Sequence, residues 1–89
     1  MAQLIFTQQL ARFLPVPQVA SDARELRTAL EQAFTGQPRL RSYVLDEQGH
    51  LRANVVIFID GQRTRERQRL DDALRPDSQV YILQALSGG

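Results

Sequence analysis

At 89 residues the chain holds one domain, which buries roughly 60–65% of the surface its unfolded form exposes. The absence of cysteine excludes disulfides, thiolate metal sites and a cysteine nucleophile, and it fits a reducing compartment. A net charge of +1 argues against an obligatory polyanion partner.

Met1-Ala2-Gln3-Leu4-Ile5-Phe6-Thr7 has no basic lead followed by a long apolar run, so no secretory signal is expected. Leu4 and Phe6 alternate there with Gln3, Ile5 and Thr7, the period of a half-buried strand. Pro15 and Pro17 then break the chain and leave a short extended piece around Val19-Ala20. Asp22 with Glu25 three residues on has the spacing of a capping box and predicts the start of a helix. Leu26, Leu30, Ala33 and Phe34 give that helix one apolar stripe. Gly36 is placed to end it in a left-handed conformation, and Pro38 is expected to prevent its continuation.

From Tyr43 the pattern returns to strands. Tyr43-Val44-Leu45 and His50-Leu51-Arg52 flank the turn-rich Asp46-Glu47-Gln48-Gly49. Val55-Val56-Ile57-Phe58-Ile59 is an apolar, β-branched run suited to a central strand, and Asp60-Gly61 is the strongest hairpin signal in the chain. That run is also the longest apolar stretch and is far too short to span a bilayer, so a soluble, cytoplasmic protein with no membrane partner is expected. Gln62 to Arg69 reads as the return arm, Leu70 to Leu74 as a single tight turn, Arg75 to Ser78 as a loop, and Val80 to Ala85 as the last strand. Leu86-Ser87-Gly88-Gly89 is expected to be a tail. One helix on one face of a mixed sheet buries these stripes economically, although composition and periodicity leave several α+β folds open.

The last sixteen residues, Leu74-Arg75-Pro76-Asp77-Ser78-Gln79-Val80-Tyr81-Ile82-Leu83-Gln84-Ala85-Leu86-Ser87-Gly88-Gly89, resemble the ending of the MoaD/ThiS sulfur carriers. In that family an acidic loop leads into an alternating V-x-I strand, a short linker and a final Gly-Gly. Val55-Val56-Ile57-Phe58-Ile59-Asp60-Gly61 is similar to the family's central strand and turn. The chain departs from the pattern at Gln84, where many members carry proline. Within the family, Val80 to Leu83 with the Ala85-Leu86 linker looks most like carriers that feed cysteine synthesis.

The resemblance implies a ubiquitin-like β-grasp with a mixed sheet of four or five strands and one main helix on one face. Residues 1–85 would form the domain and 86–89 its tail. It also implies a protein cosubstrate that is not itself an enzyme. An ATP-dependent adenylyltransferase of the ubiquitin-activating type would convert the Gly89 carboxylate to an acyl-adenylate, and sulfide or a persulfide would then displace AMP to leave a thiocarboxylate. Sulfur would pass to an enzyme making cysteine, thiamin, molybdopterin or a similar product. A sulfurtransferase and a JAMM-type metalloprotease are further partners of this kind, and ATP serves the activating partner, so no bound cofactor is expected. Gly88 and Gly89, without Cβ atoms, suit passage through a narrow channel. Since nothing follows Gly89 in the sequence, no processing is expected before activation. The competing readings are a ubiquitin-like modifier, which passes the same Gly89 to a lysine of a target, and a plain interaction module.

Docking needs a surface as well as a tail. With Val80 and Ile82 facing the core, Tyr81, Leu83 and Ala85 face outwards. The same alternation turns Val55, Ile57 and Ile59 inwards and Val56 and Phe58 outwards. Val56, Phe58, Tyr81, Leu83, Ala85 and Leu86 are therefore the expected partner-binding surface.

Other features carry less. Arg63, Arg65, Arg67 and Arg69 alternate as if along one side of a charged edge strand, and no base-stacking aromatic accompanies them, so no nucleic-acid partner is expected. His50 has no cysteine or carboxylate pair with metal-ligand spacing, so no metal site is expected. No nucleophile–base set is present, and no catalytic residue is assigned. All eleven basic side chains are arginine, so lysine-linked chains of this protein are excluded.

Overall fold

The computed structural model describes residues 1–7, 10 and 18–84. They form strands β1 (Ala2–Phe6) and β2 (Gln18–Ser21), helices α1 (Leu26–Phe34) and α2 (Pro38–Val44), and strands β3 (Val55–Ile59), β4 (Gln62–Arg63) and β5 (Gln79–Gln84). The sheet runs in the order β2-β1-β5-β3-β4. β1 lies parallel to β5, with Gln3 beside Gln79 and Phe6 beside Ile82, and the other neighbours are antiparallel. A sheet with parallel first and last strands and helices on one face is a β-grasp.

Alternation sets the two faces. Ala2, Leu4, Phe6, Val55, Ile57, Val80 and Ile82 turn inwards and are buried. They meet Leu26, Ala29, Leu30, Ala33 and Phe34 of α1 and Leu40 and Val44 of α2 in one core. Phe6 and Phe34 pack at a ring separation of 6.4 Å, tilted by 55°. Ile59 is only partly buried against this core.

Several local expectations are corrected. The Asp22/Glu25 capping box does not form: Glu25 is the N-cap of α1 and makes no side-chain cap bond. The first amides of the helix donate instead to main-chain carbonyls, Leu26 to Asp72 at 2.9 Å and Arg27 to Leu70 at 2.8 Å. Residues 70–74 are thus a strap across the start of α1, entered through a left-handed Leu70 (φ +54°) and bridged from Ala73 to Glu25, and not a tight turn. At the other end Gly36 takes the expected left-handed conformation, φ +77°.

Pro38 begins a second helix. Proline at the first helical position forfeits no intrahelical bond, so a residue expected to stop one helix starts the next. Tyr43 and Val44 therefore lie in α2, and the expected hairpin around Asp46–Gly49 shrinks to one bridge between Leu45 and Leu51. Its turn does form: Asp46 Oδ1 accepts the Gln48 and His50 amides, and Gly49 has φ +80°.

Asp60 and Gly61 both have positive φ, +50° and +85°, as a two-residue type I′ hairpin between Ile59 and Gln62 requires. The return arm ends at Arg63, so the four alternating arginines do not share a strand face. Arg67 turns inwards and donates to the carbonyls of Arg52 and Val55, whereas Arg69 lies 4.0 Å from Asp71.

Candidate functional site

β5 occupies the middle of the sheet, bonded to β1 on one side and β3 on the other. A strand paired along both edges has little freedom, so β5 is held from both sides as far as Ile82 and by β3 alone through Gln84. Five residues remain beyond it.

The start of β5 is tied down by Asp60. Its Oδ1 accepts the Gln79 amide and its Oδ2 the Ser78 hydroxyl, both at 2.9 Å, while Arg75 Nη2 lies 3.4 Å away. The Asp60 amide donates back to the Gln79 carbonyl at 2.9 Å. The Gln79 amide, then the Ser78 hydroxyl, hold the Asp60 carboxyl below the usual aspartate range, with Arg75 adding a smaller pull. Sequence reading took Asp60 only as a turn residue. Its side-chain role could have been suspected from the serine and arginine that precede β5, but nothing in the spacing brings them together.

Four of the six residues expected to form a partner surface, Val56, Phe58, Tyr81 and Leu83, lie on the outer face of the sheet, in the expected phase. Val56 is opposite Leu83, and Phe58 is opposite Tyr81. Tyr81 is 43% exposed, and Val56, Phe58 and Leu83 are half-buried. On the far side of Tyr81 the parallel register places Ile5, which sequence reading left out. Strand alternation alone puts Ile5 on this face; joining it to the patch needs the β1–β5 pairing. Gln18 lies beyond Ile5 and Arg63 beyond Phe58, so an apolar centre is bounded by polar ends across the strands. Towards the start of β5 the same face turns polar with Gln3 and Gln79. The apolar residues therefore gather in the half nearer Gln84. Ala85, Leu86, Gly88 and Gly89, and the segment from Gln8 to Pro17 apart from Leu10, lie outside the described residues.

No other constellation competes. Among the described residues no group of histidines and acids could hold a metal ion, and no helix is long and apolar enough to cross a membrane. His50 sits in a shallow depression with Asp46, Arg52, Asn54 and Arg67, its amide bonded to Asp46. A second depression gathers Arg63, Arg65, Arg69 and Arg75 with Asp60, Glu66, Asp71 and Asp72, charges that balance. Arg27, Arg52 and Arg67 act as straps, each donating to main-chain carbonyls of another segment.

The family model described as ThiS family matches residues 4–89. The crystal structure of small archaeal modifier protein 1 from Haloferax volcanii superposes with a TM-score of 0.79 at 20% identity, over 99% of this chain and 98% of that one. The solution structure of small archaeal modifier protein 1 from Methanosarcina acetivorans gives 0.81 at 20% identity, over 99% and 95%. The BexX/CysO complex of Amycolatopsis orientalis gives 0.85 at 12% identity over the whole of both chains. At these identities the likeness is one of fold. No curated protein matches the chain.

Proposed function

We propose that this chain, which belongs to the ThiS family, is a sulfur carrier whose working atom group is the carboxylate of Gly89. The observation that carries the reading is the geometry of β5: a doubly paired central strand with a partly exposed apolar outer face, followed after three further residues by Gly88-Gly89. A surface for docking and a reaching segment stand on the same strand.

A terminal carboxyl group has a pKa of about 3.3–3.7, so at neutral pH Gly89 is an anion able to attack a nucleotide phosphorus. Carboxylates are poor acyl donors because oxide is a bad leaving group. Adenylation by a ubiquitin-activating-like enzyme supplies a good one, AMP, with pyrophosphate released. Sulfide takes the place of AMP to leave a thiocarboxylate directly. A persulfide gives an acyl disulfide, whose S–S bond a thiol must then cleave to release the thiocarboxylate. The five residues beyond Gln84 span at most about 18 Å when fully extended, enough to enter a partner's active site while the outer face stays docked. The chain supplies an acyl group and a handle; the partners supply the catalysis.

Ile5, Val56, Phe58, Tyr81 and Leu83, continued by Ala85 and Leu86, form the docking surface in this reading. The partners are the adenylyltransferase, a sulfur-accepting biosynthetic enzyme, a sulfurtransferase as sulfur source, and a JAMM-type metalloprotease that would clear adducts, all in the cytoplasm. That CysO, a structural neighbour, stands in a complex with another protein, BexX, supports docking of this fold on a protein partner. Intact-protein mass spectrometry after co-expression with a candidate adenylyltransferase tests the proposal. Replacement of one oxygen by sulfur is expected, and it should vanish when Gly89 is deleted. Unchanged mass, together with no ATP–pyrophosphate exchange from a competent enzyme, would leave only an interaction module.

A second reading draws on the two structural neighbours named as modifiers: Gly89 would be joined to lysines of other proteins. Covalent ladders that require Gly89, seen in cell extracts without thiocarboxylate formation, would favour it.

A further inference from the structure

An activated Gly89 carbonyl, if the carrier reading holds, is an electrophile tethered to its own protein, and the nearest nucleophiles are those of the same chain. This chain offers very few. It has no cysteine, and all eleven basic side chains are guanidinium groups, which stay protonated at any physiological pH and do not accept acyl groups. Hydroxyls are weak acceptors, and an adduct on the imidazole of His50 hydrolyses back to the acid. Within these 89 residues one amine can form a lasting amide, the α-amino group of Met1, a residue that is 68% exposed.

The fold holds that amine away from the tail. Because β1 and β5 are parallel, the start of β1 lies beside the start of β5 and not beside its end. Ala2 is buried and paired with Ser21, one position before the Gln3–Gln79 pair. From that level to Gln84 the strands rise roughly 20 Å at about 3.3 Å per residue. The five remaining residues reach at most about 18 Å. Closure would need the tail flat and fully stretched over the docking face, with Met1 folded back along β1 to meet it. A tether used at its full length confers almost no effective concentration.

We propose that the chain is a one-way acyl donor: its activated Gly89 is not captured within its own molecule, and capture by another copy is confined to the Met1 α-amine, giving linear head-to-tail products. In that capture the amine lone pair attacks the Gly89 carbonyl carbon and a C–N bond forms. The bond from that carbon to AMP oxygen or thiol sulfur breaks, the leaving group departs with the electron pair, and the amine proton passes to water. The parallel strand pair and the lysine-free surface together keep the activated carrier for outside nucleophiles.

The test uses the full chain bearing a Gly89 α-thioester made by intein cleavage. No activating enzyme takes part, so failure here is distinct from failure of the adenylation reading. In dilute solution the native sequence should yield only the hydrolysed acid. Ala53→Lys and Thr7→Lys place an amine where β5 ends, since Val55 pairs with Gln84 and the Thr7 amide bonds Ile82. Each, once shown folded by circular dichroism, should give on the order of tenfold or more ring product, lighter than the acid by one water. At high concentration the native chain should form a dimer that acetylation of Met1 abolishes. A Met1–Gly89 ring in the native chain at a yield like that of the lysine variants would overturn the proposal. So would the absence of rings from both folded variants, or a dimer that survives acetylation.

Discussion

Tyr81 and Ile82 are neighbours on β5 with opposite duties, and truncating each in turn separates docking from folding. Tyr81 is 43% exposed on the outer face; Ile82 is fully buried against the helices. A tyrosine encloses about 150–250 Å² when fully covered, so a partner that seals Tyr81 removes about 85 Å² more from water. At 25 cal/mol per Å² that is about 2 kcal/mol, or roughly 30-fold in affinity. Within the free chain Tyr81→Ala loses mainly its cross-strand contact with Phe58, worth up to about 1 kcal/mol and a fall in Tm of about 4–8 °C. Ile82→Ala leaves a cavity in a small core and should cost about 2–5 kcal/mol. The assay is ATP–pyrophosphate exchange by the adenylyltransferase as carrier concentration varies, with thermal unfolding measured on the same samples. Tyr81→Ala should raise KM about 30-fold with kcat held, and Ile82→Ala should lower Tm steeply while KM stays put below the transition. An unchanged KM for folded Tyr81→Ala would refute the docking face.

Glu31 accepts Arg41 Nε and Nη2, both at 3.0 Å, and that pairing holds its carboxyl below the usual range against the opposing effect of burial. A depressed folded value means that the unfolded chain binds the proton more tightly, so the stabilisation is full above about pH 4.5 and fades as pH falls through the folded value. Glu31→Gln should flatten the acid limb of a Tm–pH curve yet cost only about 0.5 kcal/mol at neutral pH, because solvent screens this half-exposed pair. Asp60 is lowered in the same sense, first by the Gln79 amide. Asp60→Asn should therefore lower the protection factor of the Gln79 amide against hydrogen exchange at neutral pH and remove the fall of that protection in acid. Gly61→Ala meets open space but keeps φ at +85°, so backbone strain alone should cost about 1–2 kcal/mol, read as a lowered denaturation midpoint with an unchanged slope.

How far the sequence could be read depended on whether a signal was local. Leu26, Leu30, Ala33 and Phe34 share a stripe by spacing alone, and Asp60-Gly61 dictates its turn by backbone sterics alone. The outer face was equally legible, since alternation within β3 and β5 needs no knowledge of neighbours. Errors arose where one residue type serves two ends of an element. Pro38 can stop a helix or start one, and only the core positions of Leu40 and Val44 decide. Asp22 and Glu25 have capping-box spacing, but the amides at the start of α1 took the Leu70 and Asp72 carbonyls, partners more than forty residues away. The arginine alternation misled for a similar reason: after Arg63 the chain leaves the sheet, and Arg67 turns back to hold the carbonyl at the start of β3.

The long-range ties converge on β5, the strand that leads into the last five residues. Asp60 fixes the first residues of β5 from the β3–β4 turn, β1 and β3 bond both its edges, and Arg67 braces Val55, the partner of Gln84. A carrier must present its C-terminal segment at a defined point on a partner, and the precision of that point is set by the last residue the domain holds. Inward residues of β5 bind it to the core, while the residues between them face out to meet the partner. A one-residue slip in register would reverse both at once, exposing Val80 and Ile82 and burying Tyr81. In the carrier reading, fixing the register is therefore a functional requirement as well as a structural one. It also accounts for charged and polar side chains being spent on main-chain anchors around β5, when nothing in the local sequence demands them.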